Sequence, residues 1–124
     1  MSTSKEVTLL QIFPGTAQIK NNHLFIGGCD CMELADKFGT PLYVFDKTSL
    51  LNRCAEFQKE FGSRYPNSLV CYASKAFTNR PLVTILKDTG VGLDVVSGGE
   101  LAIAQSAGFP PKNVYFHGNN KSEA

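Results

Sequence analysis

Three short apolar runs in the second half of the chain are separated by two stretches that predict helices. The runs are SLVCYASK (68–75), GLDVVS (92–97) and NVYFHG (113–118), and their length and composition predict strands. The stretches between them are 79–90 and 97–108, and their helix-capping residues predict the helices. Strands that alternate with helices in this way predict parallel β/α units.

The two predicted helices begin and end at residues that commonly cap helices. Asn79 is a suitable N-cap for the first helix, with Pro81 in the first turn and Gly90 as the C-cap. Ser97 and Glu100 have the spacing of a capping box at the start of the second helix.

The first half of the chain is less regular. Asn21-Asn22 is a turn signal, and the apolar residues 23–26 that follow it predict a short strand. Residues 31–39 predict a helix that ends at Gly39, and PLYVFD (41–46) predicts another strand.

A longer helix is predicted after this strand. Asp46 or Thr48 can cap it, and Gly62 is a natural end. Its apolar residues form one helical stripe, which consists of Leu50, Leu51, Cys54, Phe57 and Phe61.

At the other end of the chain, GNNKSEA (118–124) predicts the opening of a further helix. Three parallel strands do not make a closed sheet, whereas a closed (β/α)8 barrel takes about 250 residues. We therefore expect the first part of a longer α/β protein.

Composition and charge exclude two classes of partner. The chain of 124 residues is 43% hydrophobic and 19% charged, with a formal net charge of +1 and no basic cluster, so a nucleic-acid partner is not expected. No apolar run approaches the roughly 20 residues of a membrane span. Residues 1–11 lack the apolar core of a signal peptide, so no membrane association and a cytoplasmic location are expected.

The four cysteines do not follow a common metal-binding spacing. Cys29 and Cys31 are separated by one residue, and neither a second pair nor a nearby histidine completes a zinc set with Cys54 or Cys71. Reduced thiols are favoured over a metal site, and no metal is expected.

Polar residues lie near the carboxyl ends of the three predicted parallel strands, which is where such proteins bind ligands. They are Lys75, Asp94 and His117. Alternation along the first strand places Lys75 on one face with Cys71 and Ala73, whose small side chains leave room around it. Each polar residue also has an ordinary alternative: a lysine with a solvated head, an aspartate in a cap or ion pair, and a hydrogen-bonded core histidine.

A lysine at such a sheet edge suits a Schiff base with an aldehyde cofactor. An ordinary lysine is almost entirely protonated at neutral pH and is a poor nucleophile, but a nearby carboxylate and an aldehyde partner suit it to this use. Dinucleotide binding is disfavoured, because neither G-x-G-x-x-G after a strand nor a P-loop pattern occurs. The helix start at Gly98-Gly99 remains a possible phosphate-binding position.

Four ordered motifs resemble the alanine-racemase-like (fold type III) pyridoxal-phosphate decarboxylases. They are FGTPLYVFD (38–46), YASKA (72–76), GLDVVSGGEL (92–101) and GFPPKNVYFHGNNKS (108–122), and the likeness covers nearly the whole chain. SGGEL and HGNNKS resemble the branch that acts on diaminopimelate. The family usually has asparagine after Y-A-x-K-A, where this chain has Phe77.

The resemblance implies an α/β fold, namely a partial (β/α)8 TIM barrel of this type, truncated after about three barrel strands. It implies that Lys75 binds pyridoxal 5'-phosphate covalently and is the catalytic lysine. It also implies that Ala73 lines the cofactor, that Asp94 places a carboxylate near the lysine nitrogen, and that His117 lies on the pocket side.

The implied reaction is the decarboxylation of meso-2,6-diaminopimelate to L-lysine by a homodimeric parent enzyme. Residues 1–37 would be a run-in that belongs with a C-terminal β-domain, and 38–124 the first part of the barrel. The 124 residues alone are expected to be inactive, since much of the family's site lies elsewhere. Two alternatives stay open: an ornithine- or arginine-type decarboxylase of the same fold, and a non-catalytic module that binds a partner.

Overall fold

The computed structural model of the chain describes residues 12–118. The chain divides into two compact units, of which the first runs to Arg53 and the second begins at Cys54. The further helix predicted over 118–124 lies, apart from Gly118, outside the described residues, as do the N-terminal residues 1–11.

The first unit contains a small antiparallel sheet that the sequence indicated only in part. Its strands are β1 (Gln18–Lys20), β2 (His23–Ile26) and β3 (Cys29–Asp30), in the order β1-β2-β3. Asn21 and Asn22 connect the first two strands with φ angles of 50° and 66°. Asparagine tolerates this left-handed region, which a tight hairpin turn requires, so the predicted turn and the strand after it are confirmed.

The first helix, α1 (Cys31–Phe38), follows directly from β3 and confirms the predicted helix. The carboxylate of Asp30 accepts a hydrogen bond from the Met32 amide at 2.8 Å and caps the helix. Gly39 ends it at a φ of 82°, which is a conformation that favours glycine.

The strand predicted over PLYVFD (41–46) is wrong. These residues form no regular secondary structure, and no ladder pairs them with another strand in residues 12–118. An apolar extended segment becomes a strand only when a neighbouring segment satisfies its backbone groups. Four of its side chains are largely exposed, namely Leu42, Tyr43, Val44 and Phe45.

The second helix is α2 (Lys47–Gly62), and Gly62 is its last residue, as predicted. Of the two predicted N-caps, Asp46 and Thr48, the structure has Asp46. Its carboxylate also accepts hydrogen bonds from the hydroxyl of Thr16 at 2.6 Å and from that of Ser49 at 2.5 Å. The residue is only 9% exposed. It therefore ties the N-terminal loop of the first unit to the start of α2.

Replacing Asp46 by alanine is expected to lower the free energy of unfolding by about 1 to 2 kcal/mol at pH 7, the usual cost of losing a cap. Burial alone would raise the pKa of Asp46, but hydrogen bonds from Ser49, Thr16 and the Thr48 amide outweigh it and hold the pKa below its usual value. Because the folded pKa is depressed, this stabilisation is present above the unfolded value of about 3.9 and is lost as pH falls through the folded pKa.

Urea unfolding followed by circular dichroism between pH 2.5 and 7 measures this effect. The difference between the native chain and Asp46→Ala should narrow below about pH 4. The matched control is Asp36→Ala, on the exposed side of α1. An Asp46→Ala penalty that stayed constant over the whole range would show that the carboxylate charge is irrelevant.

The second unit contains a three-stranded parallel sheet in the order β4-β5-β6, with strands β4 (Cys71–Ala73), β5 (Gly92–Val95) and β6 (Val114–Phe116). Helices α3 (Arg80–Lys87) and α4 (Gly98–Ser106) connect them. Consecutive β/α units of this kind confirm the prediction of a partial (β/α)8 barrel. The apolar core of the unit consists of Leu82, Val83, Leu86, Val91, Leu93, Val95, Ala104, Ala107 and Phe109.

The predicted helix starts are confirmed and one predicted end is corrected. The side chain of Asn79 accepts from the Leu82 amide at 2.9 Å. Ser97 and Glu100 form the predicted capping box, in which each side chain bonds a backbone amide at the start of α4. The end of α3 comes earlier than expected, with Asp88 as C-cap, and Gly90 lies in the following turn at a φ of 81°.

None of the helices within residues 12–118 combines the length and apolar character that crossing a membrane requires. In the same part of the chain, no group of three or more histidine, cysteine or acidic side chains is arranged to hold a metal ion. All four cysteines are free thiols.

Candidate functional site at the carboxyl edge of the parallel sheet

The register of the parallel sheet brings together residues from three strands. Ala73 on β4 lies beside Asp94 on β5, and Asp94 lies beside Tyr115 on β6. Their neighbours Leu93 and Val95 are fully buried in the apolar core. Because side chains alternate along a strand, Ala73, Asp94 and Tyr115 project from the opposite face of the sheet.

Lys75 is not on a strand, and this corrects the predicted extent of the first strand. β4 ends at Ala73, and Ser74–Ala76 form a 3-10 turn. The alternation that placed Lys75 on one face with Ala73 therefore does not apply, since it ends with the strand. Instead the turn carries Lys75 just beyond the carboxyl end of β4, with an exposed side chain that has no hydrogen bond or ion pair within residues 12–118.

Asp94 is half-buried on the central strand, and it acts electrostatically on the thiol of Cys71. Burial raises the pKa of Cys71, and the negative charge of Asp94 raises it further. The carboxylate of Asp94 therefore faces the same side of the sheet as Cys71 and Ala73. On β4 this side carries the small residues Cys71 and Ala73, as the sequence suggested.

His117 follows β6, and its backbone amide extends the ladder by donating to the Val95 carbonyl at 2.9 Å. β4 and β6 flank the central strand, so their backbones are two strand spacings, or about 10 Å, apart. Thus Lys75 and His117 lie at the same edge but on opposite sides of Asp94. The structure brings Ala73 and Asp94 together and leaves the exposed His117 at the far side.

Two side chains that the sequence analysis did not single out hold the turn around Lys75. The phenol of Tyr72 donates to the Phe77 carbonyl at 2.7 Å, and the hydroxyl of Thr78 donates to the Ser74 carbonyl at 2.5 Å. Burial raises the pKa of Tyr72, so the phenol remains a donor. The sequence did contain a signal for the Thr78 hydrogen bond, because a threonine hydroxyl readily bonds the carbonyl four residues before it.

The residues at this edge fit pyridoxal phosphate in their chemistry. The exposed Lys75 supplies a primary amine, Asp94 supplies a carboxylate, and Ala73 beside Asp94 has a small side chain. An adjacent buried hydroxyl, that of Ser74, has no hydrogen-bond partner among residues 12–118. The start of α4 is less suited to a phosphate than expected, because the Glu100 carboxylate already accepts from the Val96 amide there at 3.0 Å.

Comparison with known proteins gives a family match over most of the chain. A family model described as "Pyridoxal-dependent decarboxylase, pyridoxal binding domain" matches residues 47–124. Diaminopimelate decarboxylase of Bacillus subtilis (strain 168) is 48% identical over 105 residues, which cover 85% of this chain and 24% of that protein. Diaminopimelate decarboxylase of Bacillus methanolicus is 47% identical over 113 residues, covering 90% and 26%.

Solved structures agree with these relatives. A crystal structure of diaminopimelate decarboxylase from M. jannaschii matches with a TM-score of 0.77 and 41% identity, over 88% of this chain and 26% of that one. A second structure of that enzyme, in co-complex with L-lysine, matches with the same TM-score of 0.77. The chain spans about a quarter of the length of the curated relatives it matches.

Proposed function

The chain belongs to the pyridoxal-dependent decarboxylase family, and we propose that the protein as its cell makes it decarboxylates meso-2,6-diaminopimelate to L-lysine. We refer to the protein in that form as the native polypeptide. The observation that carries the proposal is the position of Lys75 in a turn at the carboxyl edge of the sheet, next to the Ala73–Asp94 pair. The relatives named above are diaminopimelate decarboxylases, which favours this substrate over ornithine or arginine.

Each residue of the edge has a proposed role. Lys75 holds pyridoxal 5'-phosphate through its side-chain nitrogen and is the catalytic residue. Ala73 leaves space for the ring, and Asp94 places negative charge beside the lysine, where it favours a protonated nitrogen. His117 lies on the pocket side, just after strand β6. When bound, the cofactor acts as a sink for the electrons left behind by the departing carboxylate.

The small side chains around the carboxylate matter for this chemistry. Ala73, which lies beside Asp94, carries only a methyl group, so it would leave room for a flat ring next to the carboxylate. The turn at Ser74–Ala76 presents Lys75 from outside the sheet rather than from within its face. An amine presented in this way would hold the cofactor's aldehyde at the carboxyl edge of the sheet, near Ala73 and Asp94.

Organisation, assembly and location are also proposals. Residues 1–37 would belong with a β-domain, and residues 38–124 would form the first part of the cofactor-binding barrel. The native polypeptide would be a cytoplasmic homodimer that takes an amino acid as its substrate. The resemblance supports these statements, together with the parallel sheet of the second unit and the L-lysine complex of the M. jannaschii enzyme.

Borohydride reduction of the native polypeptide, followed by intact and peptide mass analysis, tests the proposal. Reduction converts the link between an amine and the cofactor's aldehyde into a stable secondary amine. The expected result after reduction is one cofactor adduct, located at Lys75. Before reduction, the same preparation should release carbon dioxide from meso-2,6-diaminopimelate.

Turnover of ornithine and arginine by the same preparation is the matched comparison. Faster turnover of either would replace the proposed substrate but keep the reaction class. An intact mass of 13.5 kDa with no adduct would overturn the catalytic proposal and favour a non-catalytic module.

A further inference from the structure

Two hydrogen bonds connect residues that precede Lys75 in the sequence to residues that follow it. The first joins the Tyr72 phenol to the Phe77 carbonyl at 2.7 Å, and the second joins the Thr78 hydroxyl to the Ser74 carbonyl at 2.5 Å. Each bond spans Lys75, and each runs from a side chain to a main-chain oxygen. We refer to these two bonds as the turn clamp.

The ends of this segment are fixed independently of the clamp. On one side, β4 is held in register with β5, so that Ala73 lies beside Asp94. On the other side, Asn79 caps α3. The residues between these anchors have only a three-residue 3-10 turn of their own. Such a turn has poor hydrogen-bond geometry and few internal bonds, so its position depends on side chains that bind its carbonyls.

We propose that Tyr72 and Thr78 are positioning residues, which hold the turn so that the nitrogen of Lys75 is presented to the face carrying Ala73 and Asp94. This inference rests on the proposed function for the role of Lys75, although the clamp itself is a property of the chain. Ser74 is only 2% exposed, so the burial of its side chain also holds the turn in place. Lys75 itself has no partner within residues 12–118, so its direction is set by the backbone that carries it.

The clamp does not depend on the residue type at position 77, where the chain departs from the family pattern. Tyr72 bonds the main-chain oxygen of Phe77, which every residue type possesses. Phenylalanine in place of asparagine therefore leaves the bond available. The variant Phe77→Asn is expected to keep the clamp.

Variants that remove single hydroxyl groups test the proposal in the native polypeptide. Tyr72→Phe and Thr78→Val each delete one bond of the clamp, and Thr78→Ser retains the hydroxyl as the conservative rescue. Tyr65→Phe is the matched tyrosine control. Thr84→Val is the matched threonine control, because the Thr84 hydroxyl donates to the carbonyl of Arg80, also four residues earlier, at 2.8 Å within α3.

Two measurements are made on each variant. Hydrogen exchange of peptides covering 74–79 should be about five-fold faster in Tyr72→Phe and Thr78→Val, the factor for one ordinary hydrogen bond. After any bound cofactor has been removed, labelling of Lys75 by a limiting amount of pyridoxal phosphate and borohydride, expressed relative to Lys112 in the same sample, should fall by about the same factor. The two controls and Thr78→Ser should leave both quantities unchanged.

The outcomes separate this inference from the proposed function. Unchanged exchange in Tyr72→Phe and Thr78→Val would overturn the clamp, whatever Lys75 does. Faster exchange with an unaltered ratio of Lys75 to Lys112 labelling would overturn the positioning role alone. If Lys75 in the unmodified protein takes no label, the proposed function fails and the positioning role fails with it, whereas the exchange data still report on the clamp.

Discussion

Replacing Lys75 by alanine is expected to abolish cofactor labelling at the sheet edge and to lower turnover of meso-2,6-diaminopimelate by about 10²- to 10⁴-fold. That range is typical of losing a positioned acid–base group. Alanine removes the only group at this position that can link to an aldehyde. Because Lys75 is exposed and makes no bond within residues 12–118, its removal should leave the fold unchanged.

Three companion measurements make this prediction specific. Lys75→Arg keeps a positive charge but cannot form the link, so it should behave like Lys75→Ala. Lys112→Ala removes another exposed lysine of the second unit and should leave labelling and turnover intact. Circular dichroism of all three variants should match the unmodified protein. Turnover by Lys75→Ala within about ten-fold of the original would show that another residue holds the cofactor.

Replacing Gly92 by alanine is expected to destabilise the second unit by about 1 to 3 kcal/mol, the usual cost of overpacking a core. A β-carbon at this position would lie 2.8 Å from the sulfur of Cys71 and 2.9 Å from the carbonyl oxygen of Asn113. One neighbour is a side chain on β4, but the other is backbone before β6 and cannot rotate away. The central strand must therefore shift, and Asp94 two residues later shifts with it.

Urea unfolding checks this prediction, and two variants provide comparisons. A β-carbon at Gly98, at the start of α4, would meet nothing within 4 Å, so Gly98→Ala should be neutral or slightly stabilising. Adding Cys71→Ala to Gly92→Ala removes one of the two clashes and should recover part of the lost stability. Equal stability of Gly92→Ala and Gly98→Ala would mean that the strands tolerate the extra methyl group.

Local patterns predicted the helices and their caps well, because these depend on residues close together in sequence. Asn79, Ser97 and Glu100 cap the helices they were expected to cap, and Gly39 ends α1. The sequence did not predict β1 and β3, which are three and two residues long and owe their existence to pairing with β2. It also predicted a strand over 41–46, where the apolar pattern is present but no partner strand is described.

The sequence by itself determined the order of the β/α units, the residue types at the carboxyl ends of the strands, and the family to which the chain belongs. The tertiary structure alone decided where Lys75 lies relative to Asp94. Periodicity assumes that a strand continues, whereas β4 ends at Ala73 and the chain turns beneath the lysine. Strand pairing sets that endpoint, and hydrogen bonds from Tyr72 and Thr78 to carbonyls five and four residues away hold the turn. The pattern of apolar and polar positions does not encode where a strand loses its partner.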